Sequence, residues 1–314
     1  MARDVTDSDQ PTTSLSLFNM APVSRLTSYK ACIILKRLQE GARTYRFTGL
    51  NDLESTVRDC RERAIQKFHG YGLIEYLIFQ RVPYDAFLQL VDNRSSVTFH
   101  CSSLYIHDSQ ILRLKMTNGR AHDAAAAMFA RHLDQKFAEM HVLNQVNTEG
   151  GGLMEMENLS KQADGSWGPV DENYATCILE VGESESAHHL VFDAHLWLES
   201  EGSHVNQAVI INIAHDQPHI IIQLWEARIR QLRSLRSDRP RQAFKTEEVQ
   251  VSLINNVPTA SGYLRLSFEK ILERPPRPNT NEGDIILTTS DLTAIARLAW
   301  RRQNLIPREM ARNG

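Results

Sequence analysis

Paired cysteines are missing from this chain. Its four cysteines, Cys32, Cys60, Cys101 and Cys177, stand far apart, with none of the short spacings that zinc sites and dithiol redox centres use. They read as reduced thiols, most of them buried. Long apolar runs are missing as well. The longest, Ala208 to Ile213 and Ile220 to Leu224, fall far short of the ~20 residues that cross a bilayer, and no apolar stretch follows a basic start at the N-terminus. No membrane association is expected. The reading is a soluble intracellular protein, cytoplasmic or nuclear, although no lysine-rich cluster announces a nuclear address. An excess of positive charge is also lacking: a formal net charge of -3 excludes a uniformly basic nucleic-acid binder and leaves room only for a local patch. The glycine-rich stretch Glu149-Gly-Gly-Gly152 is followed by neither Gly-Lys-Ser/Thr nor a G-x-G-x-x-G pattern, so no phosphate-cradling loop is present there.

What is there suffices for a large folded body, because 42% of the 314 residues are apolar. Residues 1–24 are polar, aperiodic and expected to be disordered, and Ser28 to Gln39 is a short amphipathic candidate. After Asn51, Leu53, Val57, Cys60, Ala64, Ile65 and Phe68 recur at three- and four-residue steps, which predicts a helix. Val97 to Cys101 and Ile111 to Lys115 alternate apolar and polar side chains, as strands do. A second helix is predicted from about His122 to Met140, with Ala125, Phe129, Leu133 and Phe137 on its buried face and His122 and Asp123 in its first turn. Ala175 to Val181 reads as a strand, about Ala187 to Glu199 as a helix capped by Ser186, and Val205 to Ala214 and His219 to Trp225 as strands buried on both faces. Val249 to Leu253 and Tyr263 to Leu266 read as a further strand pair, Pro275 to Pro278 as a stiff linker, and Ser290 as the cap of a last helix.

Two features carry chemistry. Asp164 ends one short segment and Glu180 lies inside an apolar strand sixteen positions later, a spacing by which a strand pair brings two carboxylates to one metal ion. An ordinary α/β core, with Asp164 in a turn and Glu180 at a sheet edge, has the same spacing. The other feature is the run from Ala227 to Arg241, with arginines at 228, 230, 233, 236, 239 and 241. On a helix Arg230, Arg233 and Arg236 share a face. Such a face is either solvated or in contact with phosphates.

A wider set of motifs points further: His122-Asp123, Ser160-Lys-Gln-Ala-Asp164-Gly-Ser-Trp167, Ile178-Leu-Glu180-Val-Gly-Glu-Ser-Glu-Ser186, Asp193-Ala-His-Leu-Trp-Leu198, Leu224-Trp-Glu226, Ser267-Phe-Glu-Lys270, Arg274-Pro-Pro-Arg-Pro278 and Glu282-Gly-Asp-Ile-Ile286. With these the chain resembles a large group of fungal proteins whose central part is similar to the PD-(D/E)XK, or restriction-endonuclease-like, nuclease superfamily. The resemblance spans about Leu112 to Trp300. It implies an α/β fold with a restriction-endonuclease-like mixed central sheet flanked by helices, with helical N-terminal and β/α C-terminal additions. The corresponding division is a tail at 1–24, a helix-containing extension at 25–110, the nuclease-like core at 111–241, and at 242–314 a strand pair, Pro-rich linker and docking helix.

The resemblance also implies a site. Asp164 and Glu180, with Asp123 as a supplementary ligand, would hold Mg2+ or Mn2+ for phosphodiester hydrolysis, the hard cation that oxygen ligands favour. Arg228, Arg230, Arg233 and Arg236 would meet nucleic-acid phosphates. The superfamily pattern also asks for a lysine two residues after the glutamate, where this chain has Gly182. Lys161 and His195 are the candidates to replace it in catalysis. Two functions follow: a metal-dependent nuclease acting on DNA or RNA, or a catalytically inactive, nuclease-derived module that binds nucleic acid or protein.

Overall fold

A computed structural model describes residues 42–67, 75–92, 101–116, 119–183, 187–229 and 241–307. The expected tail, the Ser28 to Gln39 segment and all but the last residue of the Val97 to Cys101 strand lie outside these residues. In chain order the elements begin with β1 (Arg43–Arg46), α1 (Leu50–Lys67), β2 (Glu75–Gln80), α2 (Tyr84–Asp92), β3 (Cys101–Ile106) and β4 (Ile111–Met116). There follow α3 (Arg120–Glu139), a 3-10 turn at Leu143–Gln145, β5 (Val146–Glu149), β6 (Leu153–Glu155), β7 (Leu159–Gln162), β8 (Gly165–Pro169) and β9 (Cys177–Glu183). The chain continues with α4 (Ala187–Glu199), β10 (Gln207–Ile213), β11 (His219–Ile229), β12 (Arg241–Ile254), β13 (Val257–Ala260), β14 (Leu264–Leu266), α5 (Phe268–Leu272), β15 (Ile285–Leu287) and α6 (Thr289–Arg302). No described helix is long and apolar enough to cross a membrane.

Two mixed sheets organise these elements. The first runs β1-β2-β4-β3-β7-β6, with β1 parallel to β2. The second runs β13-β12-β11-β10-β9-β8-β5, and its parallel pair β9/β10 is joined by α4, as parallel neighbours require a crossover. Alternation assigns the faces of the second sheet. Cys177, Leu179 and Val181 join Val209, Ile211 and Ile213 in the core that also holds Ala121, Ala125, Phe129, Leu133 and Phe137 of α3 and Leu292, Ile295, Ala296 and Ala299 of α6. The four-residue steps along α3 are what lay that apolar stripe on the sheet. Glu180, between Leu179 and Val181, points to the other face, where α4 packs on β9 and β10.

The first sheet has an apolar face and a mixed one, where Tyr76, Ile78 and Leu104 stand beside buried charges. Leu77, Phe79, Tyr105, Leu112, Leu114 and Met116 pack with Leu53, Val57 and Cys60 of α1 and with Ala86, Phe87 and Leu90 of α2. The alternate residues of β4, Arg113 and Lys115, are buried all the same. The chain passes from one sheet to the other at Ala163-Asp164, between β7 and β8.

Several expectations need correction. Residues 42–110 supply three strands of the first sheet besides two helices, so this part is more than a helical addition. Position 110/111 falls in the β3–β4 hairpin and 241/242 falls within β12, so hydrogen bonding runs across both. Val249 to Leu253 belongs to β12, which pairs with β11 and β13, while β14 pairs with β15; the two segments do not form a ladder with each other. The cap of α6 is Thr288, not Ser290: its side chain accepts from the Asp291 N–H, and the Asp291 carboxylate accepts from the Thr288 N–H, a reciprocal capping box. The Ala227 to Arg241 run is not one helix, because β11 extends to Ile229 and pairs there with Arg241, the first residue of β12.

Phe129 is fully buried, with its ring 5.7 Å from that of Trp167. Phe129→Ala is expected to lower unfolding free energy by about 3–5 kcal/mol, read as an earlier urea midpoint with an unchanged slope.

Candidate active site

Asp164 is tied to β9 on both sides of Glu180. Its backbone N–H donates to Leu179 O at 3.0 Å, and its Oδ2 accepts from the Val181 N–H at 2.7 Å. The sheet-to-sheet crossing thus sets the two carboxylates beside each other. Glu180 is fully buried, and its Oε1 accepts from Trp197 Nε1 at 2.6 Å and from Lys161 Nζ. Trp197 and Asp193 lie four residues apart on α4, on one face of that helix.

The mixed face of the first sheet meets these carboxylates. Leu104 of β3 pairs with Arg113 on one side and Lys161 on the other, so these two cations stand in one cross-strand row, and Lys115 follows Arg113 on the same face. Arg113 Nη2 lies 2.7 Å from Asp193 Oδ1, and Lys161 Nζ lies 3.7 Å from the same oxygen. Lys115 Nζ donates to Val181 O at 2.9 Å and stands 3.7 Å from both Asp164 Oδ2 and Glu180 Oε2. From α3, His122 Nε2 approaches Asp164 Oδ2 at 3.1 Å. Arg113, Lys115, Lys161 and His122 therefore face Asp164, Glu180 and Asp193, with every one of these side chains at most 7% exposed.

Charges taken out of water at this depth persist only when paired. Burial alone would push the His122 imidazole down, but the Asp164 carboxylate, with a contribution from Asp123, holds it up at about 9. Burial likewise opposes ionisation of Asp164, yet the His122 and Lys115 charges and the Val181 N–H bring its carboxyl below the usual range. For Lys115 the carboxylates of Asp164, Glu180 and Asp193 overcome burial and raise the ammonium. Arg113, Lys161 and Lys115 overcome burial at Asp193, whose carboxyl is lowered. Glu180 moves up, because burial and the Asp193 charge outweigh Lys161 and Lys115.

A divalent ion does not fit this arrangement. Its two charges would join four cationic groups around three carboxylates, and the place between Asp164, Glu180 and Val181 O is taken by the Lys115 ammonium. No cluster of three or more His, Cys, Asp or Glu side chains suited to a metal occurs among the described residues.

The structure gathers some of the candidate residues and separates others. Asp164, Glu180 and Lys161 come together. Glu180 lies on an interior strand, not at a sheet edge. Asp123 does not join them: its side chain is 67% exposed and lies 3.1 Å from His122 Nδ1. His195 faces elsewhere, its Nδ1 2.9 Å from Glu199 Oε1 and its ring 5.5 Å from that of Trp225. Two residues along a helix are ~200° apart around the axis, so with Trp197 turned to Glu180, His195 is turned away. Arg228 is exposed on β11, 5.2 Å from the Phe244 ring centroid. Arg230, Arg233 and Arg236 lie outside the described residues. Lys115, Arg113 and Asp193 were not among the candidates. Asp193 opens the Asp193 to Leu198 motif, and the two cations are the polar half of the β4 alternation.

The His122 shift fixes a pH dependence. Its folded value of about 9 lies above the ordinary 6.5, so this stabilisation is complete below pH 6.5 and is lost as pH rises to 9. The loss should be on the order of 3 kcal/mol. Thermal midpoints measured across that range should fall more steeply for the wild type than for His122→Gln.

No protein-family model and no curated protein matches the chain. Among solved structures it is similar to a DUF820 protein from Anabaena variabilis, proposed to be a nuclease, at 13% identity and a TM-score of 0.37, over 68% of this chain and 99% of that one. Neither figure reaches the level at which fold or function transfers between chains.

Proposed function

We propose that this chain is a nuclease-derived module that has given up phosphodiester hydrolysis and acts by binding, with nucleic acid as its partner. The observation that carries the first half is the charge closure of the candidate site. Arg113, Lys115 and Lys161 from one sheet and His122 from α3 neutralise the carboxylates that a metal would need. The motif position two residues after Glu180 is Gly182, so the cations come from elsewhere in the fold. Support for the second half is the concentration of arginine from Arg228 to Arg241, a composition suited to phosphate contact.

A metal-dependent nuclease is the second reading. What favours it is the same pair of amines: Lys115 and Lys161 stand beside Glu180, where an amine could serve in place of the missing motif lysine. What opposes it is the cost of adding a divalent charge to a cluster whose carboxylates are already paired.

Purified protein incubated with Mg2+ or Mn2+ and DNA or RNA, in single- and double-stranded forms, separates the two. The expected result is no cleavage that depends on Asp164, together with binding that weakens as salt rises, survives Asp164→Asn, and falls in the Arg230→Ala/Arg233→Ala variant. Divalent-dependent cleavage that disappears in Asp164→Asn would establish the nuclease instead.

A further inference from the structure

We propose that the Lys115 ammonium is a built-in substitute for a divalent cation, and that removing it leaves a site for one hard divalent ion held by Asp164, Glu180 and the Val181 carbonyl. This rests on the non-catalytic reading above and deepens it, by stating what closes the site. Lys115 Nζ lies 2.9 Å from Val181 O and 3.7 Å from both Asp164 Oδ2 and Glu180 Oε2. Two carboxylates and a backbone carbonyl are the oxygen donors that magnesium and manganese take. They come from β9 and from the bend between β7 and β8, and the Asp164 N–H to Leu179 O bond and the Val181 N–H to Asp164 Oδ2 bond hold Asp164 beside β9 when the ammonium leaves.

A second, independent observation points to the same spot. Glu180 is fully buried, yet its Oε2 has no hydrogen-bond partner, while Oε1 accepts from both Trp197 and Lys161. An orphaned carboxylate oxygen at this depth is expensive. Here it is aimed at the Lys115 ammonium, too far for a hydrogen bond but within Coulombic reach. A divalent ion needs its oxygens at about 2.1 Å. Glu180 Oε2, having no hydrogen bond to lose, is free to close that gap once Lys115 is shortened.

Charge arithmetic gives the same direction. Trimming Lys115 removes one positive charge and leaves Asp164 with His122 and Glu180 with Lys161. The vacated volume is then flanked by two carboxylates, and a cation from solution replaces the one removed.

The test uses the full chain as wild type, Lys115→Ala, Lys115→Ser and the double variant Lys115→Ala/Asp164→Asn, titrated with Mn2+ by calorimetry and followed by thermal unfolding. The wild type should show no saturable uptake. Each single Lys115 variant should take up one ion per chain, at least about tenfold more tightly than the wild type, with a midpoint that rises with Mn2+, and the double variant should lose both effects. If a metal-free Lys115 variant is unfolded, Mn2+ should restore its cooperative transition. Folded Lys115 variants that take up no Mn2+, unfolded ones that Mn2+ fails to restore, or a wild type that binds Mn2+ as tightly as the variants would overturn the proposal. The reading on which it rests fails separately, through Asp164-dependent cleavage by the wild type.

Discussion

Three carboxylates buried between two sheets must be neutralised, and much of the interior is arranged around that requirement. An isolated charge in such a place costs several kcal/mol even after relaxation, so cations reach Asp164 and Asp193 and lower their carboxyls, while Glu180 is shifted toward its neutral form. Those cations come from β4, β7 and α3, and the Arg113–Asp193 and Lys115–Val181 contacts join residues 80 and 66 positions apart. Complementary charge therefore ties the two sheets together. The same requirement explains why β4 is buried along its whole length although every second residue from Arg113 is charged. One face of the strand serves the apolar core with α1 and α2, and the other serves the carboxylates.

The functional meaning turns on what the carboxylates have left to bind. Pairs of acidic groups on adjoining strands can hold a metal ion only while they carry uncompensated charge. In this chain Lys161 and Trp197 take one oxygen of Glu180, the Val181 N–H and His122 take Asp164, and Lys115 stands between the two. Gly182 follows Glu180 on the same face of β9 and brings no charge, so the cations beside these carboxylates come from β4, β7 and α3. On the proposed reading this site is held shut, and the functional weight lies in contacts elsewhere.

Much of this architecture was readable in the residues. The four-residue steps of α3, the isoleucine- and valine-rich runs of β10 and β11, and the strand carrying Glu180 all follow from local periodicity, and the structure places them there. The alternation of Ile111 to Lys115 was equally plain, but what lay opposite its polar half was not, because Val181 is 66 residues away from Lys115. Hydrogen-bond partners decided other points in the same way. The arginines from 228 to 241 scan as a helix face, yet Ile229 and Arg241 are register partners in a ladder. Leu264 to Leu266 found β15 rather than β12. His195 was a reasonable candidate by residue type, and only the direction of Trp197 toward Glu180 shows that it lies on the wrong side of α4. The Thr288 cap is legible locally, since Thr-x-x-Asp is the form of a capping box, and it outcompetes Ser290 because both halves of the box are made.

The most direct measurement is a crystal structure of the wild-type protein grown with excess Mn2+ and collected where manganese scatters anomalously. The expected density places the Lys115 ammonium between Asp164, Glu180 and the Val181 carbonyl, with no anomalous peak there. An anomalous peak within bonding distance of both carboxylates, with Lys115 swung aside, would contradict the closed site and return the chain to the metal-dependent nucleases.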